Sequence, residues 1–155
     1  MNMRRILHAH ALSVGLLLAR TAMAAEMVAI GDDDINMRSG PGTGHEILWK
    51  LDSGFPLEVV GAKGEWLQVR DFEGSSGWVH KKTTQKTAFV IVKANKGTNG
   101  QINVRKEPNL TADIVANAGY GVVFKVLQKQ DGWVKVAHGQ EGVTGWVDGR
   151  LLWGM

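Results

Sequence analysis

From Met27 onward the chain alternates short runs rich in valine and isoleucine with glycine-bearing or charged turns, and no stretch sustains a helical period. Within several runs the alternation is strict. Leu67 and Val69 alternate with Trp66, Gln68 and Arg70, and Ile35 and Met37 alternate with Asn36 and Arg38, the period of a half-buried strand. The pattern predicts strands over 27–30, 35–38, 47–51, 57–61, 66–70 and 77–80, with hairpin turns at 61–64 and 73–77. A second set follows over 89–93, 102–105, 114–118, 122–127, 133–137 and 145–147, with turns at 129–132 and 138–142. A polar segment, 83–87, joins the two sets and reads as a domain boundary.

The second set repeats the first. Ile35-Asn36-Met37-Arg38 returns as Ile102-Asn103-Val104-Arg105, and Pro41, Ile47, Gly54, Trp66 and Val69 return 67 positions later. Past Glu73 the offset becomes 68, so Gly77-Trp78-Val79 meets Gly145-Trp146-Val147, as a turn of altered length would produce. Two such units, each able to close its own core, predict tandem small all-β domains, each a partly open barrel, over 26–84 and 88–155.

The first 24 residues stand apart from this pattern. Arg4 and Arg5 precede a largely apolar stretch, 9–19, and Ala22-Met23-Ala24 is a small-x-small cleavage site. The stretch is shorter than the roughly 20 residues a membrane span needs. A signal peptide over 1–24, cut after Ala24, is the expectation, leaving no membrane span in the mature chain. Cleavage also changes the charge. The 18 lysines and arginines of the whole chain lose Arg4, Arg5 and Arg20, so they then equal the 15 acids, and the basic precursor gives no support to a nucleic-acid partner. Over 27–84 the first repeat keeps six basic and nine acidic residues against eight and five over 88–155, a sign difference that favours contact between them. With no cysteine, disulfides, thiolate metal sites and cysteine nucleophiles are excluded.

The order of motifs carries a resemblance. Ile35-Asn36-Met37-Arg38-Ser39-Gly40-Pro41-Gly42, then Gly54 ahead of a strand, then Glu65-Trp66-Leu67-Gln68-Val69, then Gly77-Trp78-Val79 resembles the bacterial SH3 domain pattern, and repeat 2 carries it with Glu107 where repeat 1 has Gly40. Two repeats behind a signal peptide, with Phe55-Pro56-Leu57-Glu58-Val59 and the ending Arg150-Leu151-Leu152-Trp153-Gly154, resemble more narrowly a family of exported bacterial SH3-like (SH3b) proteins with tandem repeats and no assigned function. The resemblance implies SH3-like barrels and an envelope location, with the periplasm as the expected compartment. It names no ligand.

Candidate chemistry is sparse. Asp32-Asp33-Asp34 lacks the alternating acids and distal glutamate of a calcium loop and reads as a solvated turn. Gly40-Pro41-Gly42-Thr43-Gly44 and Gly74-Ser75-Ser76-Gly77 match neither a phosphate loop nor a nucleophile elbow. His45, His80 and His138 lie on separated segments, so no catalytic residues, metal or cofactor are expected. The candidates that remain are for binding. Trp66 lies on the polar face of its strand, Trp49 has only Ala116 as its repeat partner, and Arg38 precedes the proline loop as Arg105 does. Arg38 reads either as an anion clamp or, the favoured alternative, as a donor to loop carbonyls or a stacking partner of Trp66. Trp78 and Trp146 read as indoles closing the two cores, and Trp153 as an anchor of the C-terminal segment on repeat 2. The expected groove lies between the Pro41 loop and the 61–64 turn. The sum is a non-catalytic exported module with a peptidoglycan or peptide-stem ligand, by analogy with SH3-like domains attached to wall hydrolases. An adaptor for an envelope protein is the alternative, and oligomeric state is left open.

Overall fold

The structure is a computed structural model describing residues 25–139 and 142–155, so the expected signal segment and its Ala24 cleavage site lie outside the described residues. Repeat 1 forms one antiparallel seven-stranded sheet from β1 (Glu26–Ile30), β2 (Ile35–Arg38), β3 (Ile47–Leu51), β4 (Pro56–Lys63), β5 (Trp66–Arg70), β6 (Ser76–His80) and β7 (Thr84–Gln85). Repeat 2 forms a second from β8 (Phe89–Val92), β9 (Ile102–Arg105), β10 (Ile114–Ala118), β11 (Val123–Gln130), β12 (Trp133–His138), β13 (Val143–Asp148) and β14 (Leu152–Trp153). The strand orders correspond: β3-β2-β6-β5-β4-β1-β7 and β10-β9-β13-β12-β11-β8-β14. Each sheet curls around its own apolar core and leaves two edges unpaired, so neither closes into a barrel.

The cores hold the residues that alternation places inward. Val28, Ile30, Met37, Leu51, Leu57, Val69 and Val79 fill the first. Val90, Val92, Ile102, Val104, Ala118, Phe124, Val134, Val136, Val147 and Leu152 fill the second. Trp78 is only partly buried and does not belong to the first core, which corrects its sequence reading, whereas Trp146 is buried as expected. Gly77 and Val79 face inward, since a β-carbon on Gly77 would lie 2.6 Å from the Met37 side chain, so Trp78 between them faces outward. Trp146 is only 8% exposed, buried outside the main cluster with the Lys135 ammonium 6.0 Å from its ring centre.

One short strand from the far end of each repeat completes its sheet. The segment read as a linker is partly structural. After β6 a 3-10 turn (Lys81–Thr83) leads into β7, which pairs with β1 through Ala29–Gln85 and Ile30–Thr84. The Gln85 amide also donates to the Ile30 carbonyl at 2.8 Å. The matching turn Gly149–Leu151 leads into β14, where Trp153 stands opposite Ile91 and Leu152 is buried. The first hairpin is longer than its glycines suggest. β4 runs through Gly61 to Lys63 by means of a bulge between Val59 and Gly61, so the β4–β5 turn is Gly64-Glu65 alone. In repeat 2 Asp131 and Gly132 take φ of 47° and 81°, both positive as a type I′ hairpin requires.

The repeats touch through an aromatic chain. Phe55 meets Phe72 edge-on at 6.1 Å, and Phe72 lies 5.3 Å from Tyr120 of repeat 2. The Tyr120 hydroxyl donates to the Glu73 carboxylate, which also pairs with Lys96 at 3.2 Å. Phe89 packs so closely on Gly54 that a β-carbon there would lie 2.8 Å from the ring, and the φ of +85° independently selects glycine. The hydrogen bond from Tyr120 and then the Lys96 ammonium hold the Glu73 carboxyl below its ordinary value of 4.5. Burial and Glu73 raise Tyr120, and Glu73 raises Lys96. A depressed carboxyl contributes fully above its unfolded value and is lost as pH falls through its folded one, while the two raised groups contribute below their unfolded values of 10.0 and 10.5. Nuclear Overhauser contacts between Phe72 and Tyr120 are therefore expected to hold constant between about pH 5 and 9 and to weaken below about pH 4; contacts that persist unchanged to pH 2 would contradict this.

Candidate functional site

An open cleft of about 230 Å³ lies on the outer side of repeat 1 between β2, the loop after it, β5 and the Lys81–Thr83 turn. Asn36 and Arg38 come from one face of β2, Trp66 from the start of β5, and His80 and Lys82 from the end of β6 and the turn beyond. Strand pairing brings them together. Trp66 stands opposite His80 across the β5–β6 ladder, and their rings meet edge-to-face at 5.3 Å.

Each side chain is held by a local contact. Arg38 donates from one terminal nitrogen, Nη1, to the carbonyls of Thr43 and His45 at 3.0 and 2.8 Å, pinning the proline loop. Arg105 does the same to Ala112 at 2.8 Å. His80 accepts the Lys82 backbone N–H at Nδ1 (3.2 Å), which places the ring proton on Nε2. Asp34, at the rim, is paired with Lys50 at 3.1 Å. Its turn is tied to the next loop where Asp33 and Asp52 accept backbone N–H groups of Ser53 and Asp34.

One atom at the cleft is unsatisfied. Asn36 Oδ1 is buried beneath the cleft without a hydrogen-bond partner, a cost of about 1–3 kcal/mol. In repeat 2 the corresponding Asn103 Oδ1 accepts from Asn117 at 2.9 Å, whereas the position of Asn117 in repeat 1 is held by Lys50, which turns to Asp34. The far wall differs too. Asp148 and Arg150 replace His80 and Lys82, and they fork together at 2.6–3.1 Å, which holds the Asp148 carboxyl below its ordinary value. Among the described residues Lys82 has no acidic partner. Repeat 2 thus satisfies internally the groups that repeat 1 leaves open.

Of the expected binding residues, Arg38 and Trp66 line this cleft and Trp49 does not. Trp49 sits on the free edge strand β3, 56% exposed beside Ile47 and Leu48. The cleft is bounded by Asp34 and the Lys81–Thr83 turn, and the 61–64 turn expected as its second wall lies outside its lining. Asn36, His80 and Lys82 did not enter the sequence reading of the site. The signal for them was the same one used for Trp49, since Lys50 against Asn117 and His80 against Asp148 are differences between copies. Among the described residues no group of three or more histidine or acidic side chains could hold a metal, and no helix is long and apolar enough to cross a membrane.

The "Putative N-acetylmuramoyl-L-alanine amidase YrvJ" of Bacillus subtilis (strain 168) is 26% identical over 138 residues, which is 85% of this chain and 26% of that protein, so the chain spans about a quarter of its relative's length. NlpC2 and NlpC1 from Trichomonas vaginalis align over 84% and 92% of this chain and 48% and 50% of theirs, with 13% and 16% identity and TM-scores of 0.36 and 0.35, too low to bear on function. Residues 31–86 and 98–154 each match the bacterial SH3 domain. The chain belongs to that family and carries its domain twice.

Proposed function

We propose that this chain is an exported, non-catalytic recognition module of the cell envelope that holds peptidoglycan by its peptide stems, with the repeat 1 cleft as the seat. The observation that carries this reading is the open cleft itself, with Trp66 beside a Lys82 that has no acidic partner among the described residues, where repeat 2 has Arg150 paired with Asp148. The amidase name of the relative denotes cleavage of the bond that joins a muramoyl group to alanine, and supports the stem as ligand class. A binding role fits the cleft better than catalysis, because no serine lines it and His80 spends Nδ1 on the turn. Pelleting the mature protein with purified sacculi tests the reading. Trp66→Ala is expected to reduce retention about tenfold and Trp133→Ala to leave it unchanged; retention indifferent to both removes the cleft from the interaction. Export is tested by fractionating cells and finding whether the N-terminus of the mature chain is Ala25.

A second reading, an adaptor for an envelope protein, draws on the free edge of β3, where Ile47, Leu48 and Trp49 are exposed. Cross-linking in envelope extract after digestion of the sacculi separates it from the first.

A further inference from the structure

We propose that two copies of this chain associate head to tail by strand pairing, the free edge β3 of one lying antiparallel against the free edge β10 of the other. Trp49, at the centre of β3, lies outside the cleft lining, so the contact does not draw on the recognition site.

The two sides of each sheet end differently. β7 and β14 are two residues long, and an edge that short gives a foreign strand little to pair with. β3 and β10, at the opposite sides, have five residues each. They hold five of the ten large hydrophobic side chains exposed among the described residues: Ile47, Leu48, Trp49, Ile114 and Val115. The usual guards of an edge are missing. Neither strand contains proline, and β10 carries no charge. The one lysine, Lys50, is drawn back onto Asp34 of its own repeat at 3.1 Å. Each strand has a single bulge, at Leu48 and at Val115, and the three residues after it pair regularly with their own sheet.

Size and charge select what fits. β3 presents Trp49, 56% exposed, whereas the regular part of β10 is Ala116-Asn117-Ala118. Pairing β3 with β10 lays the indole over the alanines. Two β3 strands paired about Trp49 would set Lys50 against Leu48 twice, and two β10 strands would bring small side chains together and bury little apolar area. Charge makes the same choice. Six basic and nine acidic residues leave 27–84 at −3, and eight and five leave 88–155 at +3, so unlike repeats attract and like repeats repel. The complement of each edge is therefore the other edge of a second copy, and the unpaired backbone N–H and C=O groups of both strands find partners in the new ladder.

Sedimentation of the full mature chain between about 5 and 500 µM tests this, with a reversible association of dissociation constant about 10–100 µM expected. Trp49→Lys and Ile114→Glu each place a charge at an exposed edge position and should weaken association at least about tenfold. Their melting temperatures at the lowest concentration should stay those of the parent. Mixing the two variants should restore association, because β3 of the Ile114 variant and β10 of the Trp49 variant are both intact. Without any variant, isotope-filtered nuclear Overhauser contacts at high concentration should join Trp49 of a labelled chain to Ala116 or Ala118 of an unlabelled one. A chain that stays monomeric to about 500 µM overturns the proposal. So does a Trp49→Lys variant that still self-associates, a mixture no better than its parts, or contacts that join Trp49 to Trp49 of the second copy.

Discussion

Gly145→Ala is expected to destabilise repeat 2 by about 3 kcal/mol, and its counterpart Gly77→Ala to cost repeat 1 only about 1 kcal/mol. A β-carbon on Gly145 would lie 2.6 Å from Val104 Cγ1, 2.8 Å from the Arg105 carbonyl oxygen and 3.0 Å from Val115 Cγ2. None of these neighbours yields cheaply. Valine is stiff at χ1, and the carbonyl belongs to β9, so relief means moving one strand off another. At Gly77 the closest atoms, at 2.6 and 3.0 Å, are Cγ and Sδ of Met37, an unbranched side chain that can swing aside, and the Arg38 oxygen is farther at 3.1 Å. Native-state hydrogen exchange resolves the two repeats separately. Faster exchange confined to β9, β12 and β13 in the Gly145 variant is the expected result, and equal losses in both variants would show that Met37 does not accommodate the methyl.

Leu57→Ala should cost repeat 1 about 3 kcal/mol, since the side chain is fully buried and its removal leaves a cavity in a core of seven buried residues. A domain of this size has little reserve. The damage should also travel. Phe55 packs on the same core and meets Phe72, which meets Tyr120, so the contact between repeats should weaken with it. Thermal melts followed by circular dichroism, with Tyr120 monitored by ring shifts, test both claims. Trp49→Ala is the control: at 56% exposure its effect should stay within about 0.5 kcal/mol. A Trp49 variant as unstable as the Leu57 variant would contradict the packing described.

Much of the architecture was legible in the chain because the repeat states each strand twice. Ile35–Arg38, Ile47–Leu51 and Trp66–Arg70 begin and end where alternation places them. β7 and β14 were not legible, since a two-residue strand has no period, and Thr84–Gln85 gains its partner from β1, more than fifty residues earlier. Trp78 was misread through its size. Its neighbours Gly77 and Val79 already announced the inward face, and period two sends the residue between them outward. In the cleft, alternation put Trp66 and Arg38 on polar faces and the fold unites them. The unsatisfied Asn36 depends on what stands opposite it on β3, which is knowledge of register, and register comes only with the sheet. Contact between oppositely charged repeats was legible as a tendency, and Lys96 with Glu73 is one instance of it.

The edge strands bear on how faithfully such a chain folds. β3 and β10 hold the same place in two nearly identical sheets, and each could pair with the other repeat's β2 or β9 while the chain is still assembling, a common error of tandem domains. Both carry a register shift, Leu48 and Val115 being the extra residues, so backbone geometry does not tell them apart. Their inward side chains do. Leu51 is buried in the first core and Ala118 in the second. An exchanged β10 would leave a hole in repeat 1, and an exchanged β3 would crowd repeat 2, where Phe124 already stands in place of Leu57. The divergence of Leu51 from Ala118 therefore acts as an address, marking which strand belongs to which sheet.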